Sequence, residues 1–223
     1  MRYYPVNLDI QGKECIVVGC GEVGSRKVCM LLTCGARVTV IAPDISEKIV
    51  NMAKEHLLSL KPLKYQPSDI NGVFLVIAAT NDEAINHKIS CDAKERGVLC
   101  NVVDRPKDST FVLPSIISKG DLVIAISTSG KSPAFSKWLR ERLSDELGVE
   151  YARFLELMGA LRGRVFTHNN VSKGYKEIFE ELIEKGIFNL IKEEKWGEVN
   201  TVLSRVVGHD YTVESLLMEI KND

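Results

Sequence analysis

The first hundred residues alternate short apolar runs with stretches in which apolar side chains recur every three or four positions. The runs are rich in β-branched residues and predict strands at residues 14–18, 37–41, 73–78 and 98–102, with a weaker strand at 62–65. The stretches between them predict helices at about 22–33, 46–57 and 82–96, capped by Ser46 and by Asn81 or Asp82. This alternation predicts an α/β fold with a doubly wound parallel sheet.

The pattern changes after Asp104. Residues 111–117 and 122–127 predict two strands, and the glycine-containing turn between them is typical of a β-hairpin. Beyond Pro133 the periodicity is helical, at about 133–147, 149–163, 171–185, 188–207 and 212–221. We therefore expect three segments: an α/β domain at 1–110, a hairpin plus helix at 111–147, and a small all-helical domain at 148–223.

Composition and charge exclude several classes of protein. The 29 basic and 30 acidic residues give a net charge of −1, which argues against nucleic-acid binding driven by bulk charge. The sequence contains no apolar run of about 18 residues and no signal-peptide pattern at its start, so we expect a cytoplasmic protein without a membrane span.

Cysteine and histidine spacing gives no metal motif. The six cysteines form no C-x-x-C pair, so we expect reduced, mostly buried thiols. The four histidines form no H-x-x-x-H pair, and we expect surface or capping roles for them. We predict no metal ligands.

A glycine loop follows the first strand. Gly19, Gly21 and Gly24 form a G-x-G-x-x-G between that strand and the first helix, which is the context that the Rossmann fingerprint requires. Glu22 and Val23 complete the helix N-terminus, where unpaired N–H groups attract phosphate. The alternative is a plain strand-to-helix turn. We predict a dinucleotide site.

One part of that fingerprint is missing. An acidic residue usually ends the second strand and binds the ribose, but Ile41-Ala42-Pro43 occupies that position and Asp44 comes later. Asp44 either holds the ribose or is a turn residue. No arginine stands at the strand end to bind a 2′-phosphate, which favours NAD over NADP.

Polar residues also follow the other strands. Thr80 and Asn81 come after the strand at 73–78, as cofactor contacts or helix caps. Asn101 and Asp104 come at and after the strand at 98–102, on the same edge of the sheet. A carboxylate there can accept a proton while a nicotinamide accepts a hydride, so Asp104 is the candidate base. The alternative is a solvated loop aspartate.

A polar loop joins the hairpin to the next helix. Its members Ser127, Ser129, Lys131 and Ser132 precede Pro133, and they form either an anion site at a helix N-terminus or an N-cap and linker. The spacing of a P-loop is absent.

Six segments in order resemble one family. They are residues 16–27, 35–43, 78–82, 101–104, 111–115 and 125–133. Together they resemble precorrin-2 dehydrogenase, the N-terminal module of siroheme synthase, strongly over about residues 3–145. The helical tail fits in size and position only, and the family often has alanine where this chain has Gly24.

The resemblance implies oxidation of precorrin-2 to sirohydrochlorin with NAD, in a homodimer that the second segment joins. Some members also insert ferrous iron, and the histidines here do not settle that point. The resemblance also implies that NAD binds at Gly19, Gly21, Glu22, Val23, Gly24, Asp44, Thr80 and Asn81. It implies that Asp104 is the catalytic carboxylate. We expect the tetrapyrrole at Asn101, Ser127, Ser129, Lys131 and Ser132. Because the chain ends at residue 223, we expect no methyltransferase module.

Two other functions compete with this one. A non-catalytic NAD-sensing module of a channel or transporter also has the glycine loop, but it usually carries the acid that Ala42-Pro43 replaces here. A methyltransferase that binds S-adenosylmethionine more often lacks the third glycine at this spacing. The sensing modules also lack the polar loop at 127–133 and the helical tail, and a methyltransferase would have a different strand order.

Overall fold

The computed structural model describes residues 2–54, 58–167 and 174–220, without the side chains of residues 166, 167, 175, 219 and 220. The chain divides into two compact units, Met1–Leu113 and Pro114–Asp223. The three-segment division made from the sequence stays a prediction. His56 and His168 lie outside the described residues, as do residues 55–57 of the predicted second helix.

The described part of the first unit is built on a five-stranded sheet in which every neighbouring pair is parallel. The strands are β1 Glu14–Val18, β2 Arg37–Ile41, β3 Leu58–Lys61, β4 Leu75–Ala78 and β5 Leu99–Val102. Their order is β3-β2-β1-β4-β5, so the order reverses between β1 and β4. Ligands bind sheets of this kind at the carboxyl ends of the strands beside that reversal.

Helices cover both faces of the sheet. They are α1 Glu22–Thr33, α2 Glu47–Ala53 and α3 Glu83–Glu95. Val28 of α1 and Ile49 of α2 join the core on one face, and Ile89 of α3 joins the core on the other. The prediction of a Rossmann-type doubly wound sheet is confirmed.

The third strand lies earlier than the sequence predicted. The weak strand expected at 62–65 is wrong, because β3 pairs with β2 through Leu58–Lys61. Leu58 is buried and Ser59 exposed, an alternation too short to dominate the helical pattern before it. A 3-10 helix, Pro67–Ile70, follows and was not predicted; Asp69 accepts a 2.8 Å hydrogen bond from the Gln66 N–H at its start.

Asp82 caps α3. Its carboxylate accepts hydrogen bonds from the N–H groups of Ala84, at 2.8 Å, and Ile85, at 3.2 Å. Ser46 is the N-cap residue of α2, as predicted, yet its side chain makes no capping hydrogen bond to any described residue. Substitutions at these two positions can therefore be compared to measure how much a capping hydrogen bond stabilises the protein.

We expect Asp82→Ala to lower the free energy of unfolding by about 1 kcal/mol, because two helix N–H groups lose their acceptor. Ser46→Ala is the control and changes it by a few tenths at most. Urea unfolding followed by circular dichroism measures both. Equal losses in the two variants would contradict this assignment of the caps.

The second unit begins with an antiparallel hairpin, β6 Ser115–Lys119 and β7 Leu122–Ile126. The first strand was predicted from residue 111, which is four residues early. Phe111 and Leu113 instead pack against the core of the first unit, which takes their apolar side chains out of the hairpin. Gly120 adopts a φ of 59° in the two-residue turn, where a larger side chain would be strained.

The described remainder of this unit contains the helices α4 Pro133–Glu146, α5 Glu150–Thr167, α6 Tyr175–Glu184, α7 Ile187–Lys192, α8 Trp196–Val206 and α9 Val213–Ile220. Residues 168–173, which include the predicted break and the predicted start of the third helix, lie outside the described residues. Leu161, Leu182 and Leu203 are fully buried in their shared core.

One predicted helix is two helices. The sequence predicted a continuous helix over 188–207, but the chain breaks between α7 and α8. Glu194 there has a φ of 56°, and the N–H of Lys195 donates a 2.9 Å hydrogen bond back to Leu190. Such a bond closes a helix C-terminus and ends α7.

All six cysteines are described and are free thiols. Burial raises the pKa of the Cys15 thiol to about 11, with a further increase from Glu14, and burial raises the pKa of Cys100 to about 11. Cys34 and Cys91 are exposed.

We expect iodoacetamide at pH 8 to label Cys34 and Cys91 rapidly and Cys15 and Cys100 only after unfolding, because the thiolate is the nucleophile and the buried thiols stay protonated and inaccessible. Peptide mass spectrometry after a short pulse measures the labelling, with a urea-unfolded sample as the control. Labelling of Cys100 as fast as Cys34 would contradict it.

In the part of the chain that the structure describes, every helix falls short of the length and apolar character needed to cross a membrane.

Candidate functional site

The glycine loop joins β1 to α1 with very little space around it. Gly19 has a φ of 97°, and its N–H donates a 2.9 Å hydrogen bond to the carbonyl of Ile41. A Cβ on Gly19 would lie 2.4 Å from the Ala79 carbonyl oxygen, and one on Gly24 would lie 2.2 Å from the carbonyl oxygen of Gly19. These glycines therefore allow β1, β4 and α1 to approach closely, as the fingerprint predicts.

Gly21 differs from the other two glycines of the loop, Gly19 and Gly24. It is the N-cap residue of α1, and a Cβ there would meet nothing within 4 Å among the described residues. The space in front of it is the cradle that a pyrophosphate needs, at the positive end of the α1 dipole. The residues present therefore fit a dinucleotide.

This loop forms one wall of a cleft of about 980 Å³. The other walls are the segments that follow β4 and β5, so the cleft lies at the carboxyl ends of three strands. It is lined by Gly21, Glu22, Val23, Ala79, Thr80, Asn81, Glu83, Asn86, His87 and residues 103–108. The structure thus brings the predicted Gly21, Glu22, Val23, Thr80, Asn81 and Asp104 together.

Buried Asn86 fixes the segment after β4. Its side-chain NH₂ donates a 2.9 Å hydrogen bond to the Thr80 carbonyl, and its Oδ1 accepts one from the Thr80 N–H at 3.2 Å. The Thr80 hydroxyl lies 2.8 Å from the same oxygen. Thr80 therefore shapes the wall, and exposed Asn81 is the side chain that projects from it.

Asp104 has an unusual backbone. It is exposed and has a φ of 59°, a left-handed conformation that costs a non-glycine residue about 1–2 kcal/mol and that aspartate tolerates better than most. Ser129 of the polar loop has a φ of 55°. Strain of this kind concentrates at functional sites, so its presence at two residues selected from the sequence supports their roles.

Lys27 lies close enough to Asp104 to interact with it electrostatically. Burial lowers the pKa of the Lys27 ammonium, the positive charge of Arg26 lowers it further, and the carboxylate of Asp104 opposes both effects. A partly buried cation thus interacts electrostatically with the candidate base. Lys27 follows the glycine loop on α1, which explains how it reaches this edge of the sheet.

Four predicted residues of the first unit lie outside the lining. Gly19 and Gly24 act beneath the cleft by allowing close packing. The Asp44 carbonyl accepts a 2.9 Å hydrogen bond from the Cys20 thiol, which holds Asp44 beside the glycine loop. Asn101 is buried, and its amide donates a 3.0 Å hydrogen bond to the Phe111 carbonyl, so its visible contact is structural. The substrate role of Asn101 stays a prediction.

The polar loop of the second unit is organised around Thr128. Its hydroxyl accepts hydrogen bonds from the Ser132 N–H, at 3.2 Å, and from the Ser136 hydroxyl, at 3.1 Å. Ser132 caps α4 by accepting a 3.2 Å hydrogen bond from the Phe135 N–H. The capping interpretation is therefore confirmed for Ser132, while substrate roles of Ser127, Ser129, Lys131 and Ser132 stay predictions.

Sequence reasoning missed several residues of the cleft. Asn86 and Glu83 were not selected, and His87 was assigned a surface role. His87 and Asn86 lie on the first turns of α3, so helical spacing from Asp82 was the signal that could have found them. Asp108 lines the cleft because the chain after β5 turns back towards α3, which no sequence pattern indicated.

Family models and relatives agree with this geometry. Residues 6–115 match a model described as NAD(P)-binding, and residues 119–146 match that of the central part of sirohaem biosynthesis proteins. Siroheme synthase 2 of Yersinia enterocolitica is 39% identical over 183 residues, which are 82% of this chain and 39% of that protein. The siroheme synthase of Nitrosospira multiformis is 37% identical over 192 residues, 84% of this chain and 40% of that protein.

A solved structure described as SirC, precorrin-2 dehydrogenase, matches with a TM-score of 0.75 and 28% identity, over 89% of this chain and all of that one. The chain belongs to this sirohaem biosynthesis family. It spans about 40% of the length of the curated siroheme synthases that it matches. The predictions of the family and of NAD as its cofactor are confirmed, and these comparisons give no support to the NAD-sensing alternative.

Proposed function

We propose that this chain oxidises precorrin-2 to sirohydrochlorin, with NAD as hydride acceptor. The observation that carries the proposal is the cleft itself, which is lined both by Gly21, where a Cβ would meet nothing within 4 Å among the described residues, and by the exposed Asp104 in its left-handed backbone conformation. The likeness to a precorrin-2 dehydrogenase over that protein's whole length supports the same reaction.

In this proposal Gly21 and the first N–H groups of α1 hold the pyrophosphate, and Asn81 and the Thr80 backbone face the nicotinamide half. NAD, when bound, supplies a two-electron acceptor for hydride. Asp44 is the ribose partner, since Cys20 holds it next to the loop. Arg37 is the arginine nearest in sequence to Asp44, but it lies at the opposite end of β2, where its guanidinium is 3.5 Å from the Glu14 carboxylate. It is therefore not placed to bind the 2′-phosphate of NADP, which supports NAD as the cofactor.

Asp104 accepts the proton. Oxidation of precorrin-2 removes two hydrogens: one leaves as hydride, which reduces NAD to NADH, and the other leaves as a proton. The exposed Asp104 carboxylate is placed to take that proton and to pass it to solvent. Lys27 of α1 interacts electrostatically with this carboxylate.

The tetrapyrrole carries many carboxylates, and the cleft must meet them locally because the net charge of the chain is −1. Arg105 and Lys107 line the cleft, and Arg105 pairs with Glu83. We propose that Lys107 and Lys27 attract the substrate. Such attraction weakens as salt rises.

Three finer parts of the proposal rest on the family resemblance. They are ferrous iron as a second co-substrate, a homodimer, and a cytoplasmic location. Exposed Phe135 and Trp138, stacked 5.6 Å apart on α4, support a subunit contact in the second segment. The free thiols support a reducing compartment.

An anaerobic assay with precorrin-2 tests the function. The proposal predicts sirohydrochlorin formation with NAD, a much lower rate with NADP at the same concentration, and only the uncatalysed rate with no nucleotide. NAD binding without any turnover would overturn the proposal and leave a binding module.

A further inference from the structure

A cysteine and a histidine meet on the face of α3 that borders the cleft. His87 and Cys91 are four residues apart, so they lie one above the other on the helix. The Cys91 Sγ atom lies 3.7 Å from the His87 Nε2 atom. His87 lines the cleft, and the exposed Cys91 stands one turn further along α3.

The 3.7 Å separation suits a shared metal ion. In a tetrahedral site with metal–nitrogen and metal–sulfur bonds of about 2.0 and 2.3 Å, the two donor atoms lie about 3.5 Å apart. The pair therefore needs almost no rearrangement to chelate one cation. A neutral imidazole and a thiolate are the ligands that zinc, cobalt and other divalent transition metals prefer.

Asp108 supplies the outer partner that a metal-binding histidine usually has. Its Oδ1 atom lies 3.5 Å from the other ring nitrogen of His87, Nδ1. The tautomer that carries its proton on Nδ1 faces this carboxylate and directs the Nε2 lone pair towards Cys91. The Ser90 hydroxyl donates a hydrogen bond to the Asp108 backbone carbonyl, which ties the loop to α3.

We propose that His87 and Cys91 form a binding site for a divalent transition-metal ion at the rim of the cleft, with Asp108 orienting His87. Among the described residues no group of three such side chains converges on a metal, so the remaining coordination positions belong to water or to an incoming ligand. The spacing of this pair, H-x-x-x-C, falls outside the C-x-x-C and H-x-x-x-H patterns considered in the sequence.

Cobalt(II) titration of the apo chain, without air, NAD or tetrapyrrole, tests this site. Thiolate coordination produces a sulfur-to-cobalt charge-transfer absorption in the near ultraviolet. We expect this band in the wild type and its loss in Cys91→Ser. We expect His87→Gln to keep the fold and weaken cobalt binding at least about 10-fold, and Asp108→Asn to weaken it about 10- to 100-fold.

Cys34→Ser is the matched control, because Cys34 is an exposed cysteine at the end of α1, away from α3. It should leave the band unchanged, and circular dichroism should show native folds in all variants. A wild type without the band at saturating cobalt, or a band that persists in Cys91→Ser, would overturn the proposal. The test needs neither NAD nor precorrin-2, so its result is separate from that of the proposed dehydrogenase.

Discussion

Asp104→Asn is expected to lower the turnover number of precorrin-2 oxidation by about 10²- to 10⁴-fold, the usual contribution of a positioned general base. Asparagine tolerates the left-handed backbone that Asp104 adopts, at a φ of 59°, so the loop keeps its path. The change removes the proton acceptor and little else. Initial rates at saturating NAD and precorrin-2, measured anaerobically, give the effect.

Two controls separate chemistry from folding in that experiment. NAD affinity measured by calorimetry should stay within a few-fold of wild type, because Asp104 belongs to the segment after β5 and not to the glycine loop. Asp108→Asn removes a neighbouring carboxylate of the same cleft and should reduce the rate far less. An Asp104→Asn enzyme with wild-type turnover would exclude Asp104 as the base and leave the cofactor site intact.

Gly21→Ala and Gly24→Ala should affect different properties: the first should weaken NAD binding, and the second should lower the stability of the fold. Gly21 has a φ of −62° and open space before it, so Gly21→Ala folds normally but puts a methyl group where the pyrophosphate approaches. Loss of one N–H hydrogen bond to a charged phosphate costs about 1.5–3 kcal/mol, which is roughly a 10- to 150-fold loss of NAD affinity.

Gly24→Ala should instead destabilise the fold. Its Cβ would lie 2.2 Å from the Gly19 carbonyl oxygen, so α1 must move away from β1 at a cost of about 1–3 kcal/mol. Urea unfolding and calorimetric titration with NAD, applied to both variants, measure the two quantities. Normal stability of Gly24→Ala, or unchanged NAD affinity of Gly21→Ala, would contradict this assignment of the loop.

The sheet was predictable because its strands are buried on both faces. Every residue of β4 is buried, and a continuous apolar run of this length is typical of an inner strand of a parallel sheet. β3 was displaced in the prediction because a four-residue edge strand carries little pattern of its own. The break before α8 depends on the backbone of Glu194, whose side chain is a good helix former and gives no warning.

The candidate site was predictable as far as topology determines it. Parallel strands bring their carboxyl ends to one edge, so Gly21, Thr80 and Asp104 had to lie near one another. Contacts that depend on the path of a loop or on one face of a helix could not be predicted in the same way. The approach of Asp108 to His87 and the burial of Lys27 beside Asp104 are of that kind.

The stoichiometry of the reaction tests the central claim most directly. Purified protein is mixed anaerobically with limiting precorrin-2 and excess NAD, and both NADH and sirohydrochlorin are quantified at completion. The account predicts one NADH for each sirohydrochlorin formed, with Gly21→Ala slowed at low NAD and restored at high NAD. Sirohydrochlorin formed at the same rate without NADH production would contradict the assignment of this cleft as an NAD-dependent dehydrogenase site.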